Sequence, residues 1–176
     1  MPVNGLLKLL GISEKNAVVR DPESIARISE VLDGLGERGR FIASYAYVLA
    51  RVAHADSEIS EAEVEAMRER VEAFGGLPDR QAELAVKIAT GRLIELAASE
   101  NYIATRVFRD LSSREERLKL LECLFAVAAA DENISTDENR EISQIANELG
   151  LTNTEVAAVR GRYREQLAVL KNLPSQ

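Results

Sequence analysis

The sequence predicts an all-α fold, a helical bundle of about seven to eight helices built from two related halves about a pseudo-two-fold axis. Three observations carry that expectation. Ala and Leu dominate the apolar residues, and aromatics make up only 5% of the chain, a composition that favours closely packed helices over sheets. Apolar residues recur at helical spacing, and no stretch shows convincing period-two alternation, so no sheet is expected. Finally, one phrase occurs twice. Residues 49–63 read LARVAHADSEISEAE, residues 124–138 read LFAVAAADENISTDE, and at an offset of 75 eight of the fifteen pairs are identical.

Taken in order, residues 3–10 fit a short amphipathic turn or two, and residues 1–20 read as an N-terminal extension that docks on its own core by default. Residues 21–176 read as a single all-helical domain, with internal repeats at about 37–98 and 114–171. Asp21-Pro22 opens a helix in which Ile25, Ile28, Val31 and Leu32 recur, and Gly34 and Gly36 end it. A long helix is expected from Glu37 to Ala55, with Phe41, Tyr45, Val48, Leu49 and Val52 on one stripe. Ser60-x-x-Glu63 opens the next, and Gly75-Gly76 with Leu77-Pro78 stops it. Residues 80–98 read as one helix, with Leu84, Ile88, Leu93, Leu96 and Ala97 inward, and residues 101–111 as another. Ser113-x-x-Glu116, Ser135-x-x-Glu138 and Thr152-x-x-Glu155 open the last three. The final helix is expected to run on through Tyr163, Leu167 and Leu170.

At 176 residues, 46% hydrophobic and 29% charged, the chain has the composition of a soluble globular domain. The net charge of -7 argues against nucleic-acid binding and suits a basic partner or a metal cation. The N-terminus lacks the basic region and apolar run of a secretory signal, and no apolar run reaches the roughly 20 residues of a membrane span. With one Cys, a reducing, cytoplasmic setting is expected.

The repeated residues allow two readings. In the first they are helix grammar: Glu63 and Glu138 sit at the third helical position of a capping box, worth roughly 1 kcal/mol each with the dipole term. Asp56 and Asp131 would then bond their own loops, and Ile59 and Ile134 would plug those loops into the core. In the second, the two loops meet and Asp56, Glu63, Asp131 and Glu138 converge on a divalent cation, Ca²⁺, Mg²⁺ or Zn²⁺, with Glu58 and Asn133 nearby. An EF-hand is excluded, because counting from Asp131 its glycine position holds Thr136 and its final glutamate position Ile142.

Other residues read as structural. His54 is matched by Ala129 and so falls outside the repeated feature, and Cys123, among leucines, reads as a buried small hydrophobe. Arg160, Arg162 and Arg164 with Tyr163 read as a solvated basic face. No nucleophile-and-base arrangement or phosphate-binding loop is present, so no enzyme activity is expected.

The twice-stated Ala-Asp-x-x-Ile-Ser-x-x-Glu resembles the motif of the TerB family of bacterial tellurite-resistance-like proteins, over roughly residues 37–170. The resemblance implies an all-helical fold of two related halves and an acidic metal-binding surface at Asp56, Glu63, Asp131 and Glu138. The family usually has Gly after the Asp; here Ser57 and Glu132 stand there. The expected function is a non-enzymatic binding module in a bacterial tellurite or metal stress response. The alternative is a helical protein–protein scaffold without a metal site; a metal-dependent hydrolase is the third and least supported reading.

Overall fold

One helix, Glu37–Ala53 (α3), occupies the centre of the structure, a computed structural model. It describes residues 4–13, 15, 17–19, 22–54, 59, 61–91, 94–96 and 101–167. The small residues of α3 account for its place: Ala43, Ser44 and Ala46 are fully buried, so neighbouring backbones approach it closely. Its stripe of Phe41, Tyr45, Val48, Leu49 and Val52 is buried as the spacing predicts.

Around it lie α1 (Asn4–Leu9), α2 (Pro22–Gly34), α4 (Glu61–Phe74), α5 (Asp79–Thr90), α6 (Asn101–Leu111), α7 (Arg114–Ala128), α8 (Thr136–Glu148) and α9 (Asn153–Gly161). Helices α5 and α6 pack most extensively on α3, and α1, α2, α7 and α8 also touch it. The start of the chain docks on this core, with Leu6, Leu7, Leu10 and Ile12 all buried and α1 packed on α2 and α3.

Local chemistry sets the boundaries. All three capping boxes among the described residues form as the sequence predicts. The Glu116, Glu138 and Glu155 backbone N–H groups donate to Ser113 Oγ (3.2 Å), Ser135 Oγ (3.1 Å) and Thr152 Oγ1 (3.3 Å). The three glutamates accept in return from the cap N–H groups, each at 2.8 Å. At Glu155 the Thr152 backbone N–H and hydroxyl hold the carboxyl down to about 2. Helix α8 closes on a Schellman motif, with Leu151 N–H donating to Ala146 O (3.1 Å) and Gly150 N–H to Asn147 O (3.0 Å). Gly150 takes φ +70, which glycine adopts without penalty.

Three expectations are corrected. A small antiparallel ribbon exists, β1 (Ala17–Val19) pairing with β2 (Ile94–Leu96), where no sheet was expected. Three-residue strands are too short to show an alternating pattern. The helix expected over 80–98 therefore stops at Thr90. Thr90 Oγ1 donates to Val86 O (2.8 Å), Gly91 caps the end, and β-branched Ile94 joins the ribbon. Leu93 and Ala97 lie outside the described residues. The last helix stops at Gly161 rather than continuing through Leu167. A 3₁₀ turn (Arg164–Gln166) reverses the chain, and Leu167 (2% exposed) enters the core instead of extending a helical stripe. Leu170 lies outside the described residues.

Candidate functional site

The acidic loop between α7 and α8 is built by three devices. First, α7 unwinds through consecutive turns, with Ala129 N–H donating to Phe125 O (2.9 Å), Ala130 N–H to Val127 O (3.1 Å) and Glu132 N–H to Ala129 O (3.0 Å). Second, Asp131 Oδ1 accepts from Asn133 N–H (3.0 Å), the short side-chain-to-backbone bond that favours Asp in turns. Third, the stretch that follows α9 braces the loop: Ile134, buried to 1%, donates its N–H to Gln166 O (2.7 Å) and forms a parallel bridge with Leu167.

Between Asp131 and Asn133, Glu132 takes φ 63, the only non-glycine at positive φ among the described residues. This is the position at which the resembled family places Gly. The loop keeps the left-handed turn although a side chain occupies it. Because a β-branched residue is strained there, Glu132→Gly is expected to be more stable than Glu132→Val by about 1–2 kcal/mol, read from urea midpoints at equal m-value.

Of the four carboxylates singled out in the sequence, Asp131 and Glu138 lie at the two ends of this loop. Asp131 is exposed, and Glu138 occupies the third position of α8 with Oε2 on Ser135 N–H. Glu63 stands at the third position of α4, and nothing is described of its side chain; Asp56 and Glu58 lie outside the described residues, as does the capping of the first loop, while Asn133 is the turn donor above. No group of three or more His, Cys, Asp or Glu side chains able to hold a metal ion occurs among the described residues.

The other candidates resolve individually. His54 follows α3 directly, and its Nε2 bonds Ala89 O on α5 (2.8 Å). Cys123 is fully buried, and burial pushes its thiol up to about 12, so it is no nucleophile at neutral pH. Arg162 pairs with Glu122, and Tyr163 stacks on Phe125 with ring centroids 5.6 Å apart, tying this stretch to α7.

Sequence reasoning missed the strongest electrostatic feature nearby. Arg51, in the last turn of α3, has a side chain only 3% exposed. Its Nε donates to Glu141 Oε1 (2.6 Å), and its Nη1 to Glu148 Oε2 (2.6 Å) and Thr105 Oγ1 (2.7 Å), joining α3 to α6 and α8. Burial disfavours the charge of Glu148, but Arg51 and Gln144 more than offset it and hold the carboxyl below its ordinary value. The signal was present: inside the repeated phrase Arg51 stands where the second copy has Ala126.

Fold and site together define a mainly helical domain organised on one buried helix, with an acidic loop braced between two helices. Residues 42–161, well over half of the chain, match the family of tellurite resistance protein TerB, and the protein belongs to that family. No curated protein and no solved structure matches the chain. None of the described helices is long and apolar enough to cross a membrane.

Proposed function

We propose that the protein is a non-enzymatic binding module of a bacterial tellurite or metal stress response, holding a divalent cation (Ca²⁺, Mg²⁺ or Zn²⁺) through Asp56, Glu63, Asp131 and Glu138 in the cytoplasm. The observation that carries this reading is the backbone of Glu132. A charged residue in left-handed conformation on an exposed loop costs stability, and such costs gather at sites with a role. Asp131 commits Oδ1 to Asn133 N–H and Glu138 commits Oε2 to Ser135 N–H. Carboxylate oxygens so oriented are the donors a hard cation takes.

The reading also needs two related halves. In its support, α4 packs on α7 and α8 on α3, so each loop's following helix lies against the opposite long helix. Likewise α5 packs on α3 as α9 packs on α7.

The test is calorimetric titration of metal-stripped protein with Ca²⁺, Mg²⁺ and Zn²⁺. Saturable heat is expected for at least one ion, with stabilisation approaching about 2.7 kcal/mol at a hundredfold excess over Kd. Asp131→Asn should lose most of it. Absence of saturable heat with every ion would remove the cation. The second reading, a helical scaffold for a protein partner, draws on the capping boxes, because helix grammar alone accounts for Glu138. It gains if Asp56→Asn with Asp131→Asn lowers stability equally with and without the ions.

A further inference from the structure

Helices α1 and α2 precede residue 42, where the family match begins, yet α1 covers a surface that belongs to the matched part. It packs on α2 and α3, and its end lies beside α6. A Cβ on Gly11 would sit 3.8 Å from Ile103 Cγ2 and 3.9 Å from Val107 Cγ2. Leu6, Leu7, Leu10 and Ile12 fill the groove between these helices and are buried there. The groove itself is firm on the α2 side. Helix α2 crosses α3 so closely that a Cβ on Gly39 would meet Leu32 O at 1.9 Å.

The hold on α1 is of a different kind. Among the described residues, no hydrogen bond or ion pair ties it to another helix. The bonds at its end are internal: Gly11 N–H donates to Lys8 O (3.0 Å) and Ile12 N–H to Leu7 O (2.9 Å), a Schellman closure with Gly11 at φ +68. A six-residue helix is not stable alone in water, so α1 depends on its apolar contacts to stay helical. Such contacts are non-directional, and another chain of the same apolar pattern can make them. Docking also has a cost. Ser29 Oγ is buried without a hydrogen-bond partner, 3.1 Å from where a Cβ on Gly5 would stand, and it regains water when α1 lifts. Just beyond α1, β1 pairs with β2 and keeps a lifted α1 near its groove.

We propose that α1 is a displaceable strap, and that the groove between α2, α3 and α6 is the docking site for a short helix of a protein partner. The chemistry of that helix is the one α1 displays: leucines at positions i, i+1 and i+4 on one face, preceded by a small residue. The strap occupies the groove in cis. It lowers the apparent affinity for the partner by the fraction of molecules in which the groove is open, and it returns when the partner leaves.

The probe is a synthetic peptide of residues 4–12, titrated into the native full chain and into full-length Leu7→Asp/Leu10→Asp, whose carboxylates expel α1 from the groove. Amide NMR follows Ser29, Ile103 and Val107. The variant is expected to keep its α3 core and to bind the peptide saturably. The native chain, with its strap in place, should bind at least about tenfold more weakly. A peptide carrying the same two substitutions should bind neither protein. In the native chain, hydrogen exchange should release the Gly11 and Ile12 amides well before those of α3. Absence of saturation in the variant, equal affinity of the two proteins, or exchange of Gly11 and Ile12 together with α3 overturns the proposal. If the double variant loses its α3 core, α1 is an integral part of that core and the proposal fails as well.

Discussion

Replacing Arg51 with Ala is expected to lower stability by about 3–5 kcal/mol. The substitution leaves two partly buried carboxylates, Glu141 and Glu148, facing each other without their cation. It also takes from the buried Thr105 hydroxyl its donor, leaving only the longer bond to Asn101 O (3.4 Å), and removes a packed aliphatic stem. The pH dependence distinguishes this cause from simple loss of packing. In the native protein Glu148 is held below its ordinary value. Its contribution is therefore complete above the unfolded-state carboxylate pKa, about 4.3, and is lost as the pH falls through the lower folded value. In the variant the contributions of Arg51 are gone, and burial is opposed only by the bonds from Gln144 and Thr105, so Glu148 shifts up from its native value. The variant is then most penalised at neutral pH and recovers as acidification protonates the group. Urea unfolding at pH 7 and pH 4.5 should show the gap between native protein and variant narrowing at the lower pH. A constant gap would leave packing as the whole cause.

Phe108→Ala is expected to cost about 3–5 kcal/mol through the cavity it leaves. Phe108, on α6, is fully buried, and its ring meets Phe41 at 5.0 Å and Tyr45 at 5.9 Å between centroids, the latter edge-on. Two of these three rings belong to α3, so the cluster fastens α6 to the central helix. The ring geometries add to the area they bury. Phe108→Leu fills more of the space and should cost roughly half as much. Thermal unfolding with both variants checks the order; equal losses would show that ring stacking outweighs the cavity.

The helices were legible because their grammar is local. Ser113, Ser135 and Thr152, each followed at the third position by Glu, announce helix starts that fold as read. The stripe from Phe41 to Val52 needs only the 3.6-residue period. What escaped was non-local. The pairing of Ala17–Val19 with Ile94–Leu96 joins segments far apart in sequence, and three residues carry no period. The reversal at Gly161 that brings Leu167 to Ile134 depends on the loop it meets, whereas the apolar spacing from Val156 onward continues a helical pattern. The Arg51 network depends on acids 90 and 97 residues away. For the site, the motif marked Asp131 and Glu138 at the ends of one loop, but the left-handed backbone of Glu132 is invisible in a residue type that seldom adopts it.

The bridge between Ile134 and Leu167 also bears on the order of biosynthesis. A chain leaves the ribosome from its N-terminus, and the leucines of α1 can dock as soon as α2 and α3 have emerged. The acidic loop follows a different schedule. Its Ile134 N–H acquires its acceptor only when Gln166, 32 residues downstream, is free of the exit tunnel. The turn carrying Asp131 is thus locked later than the α3 core. Nascent chains arrested before Leu167 should hold a folded α3 core while the loop remains open to proteolysis.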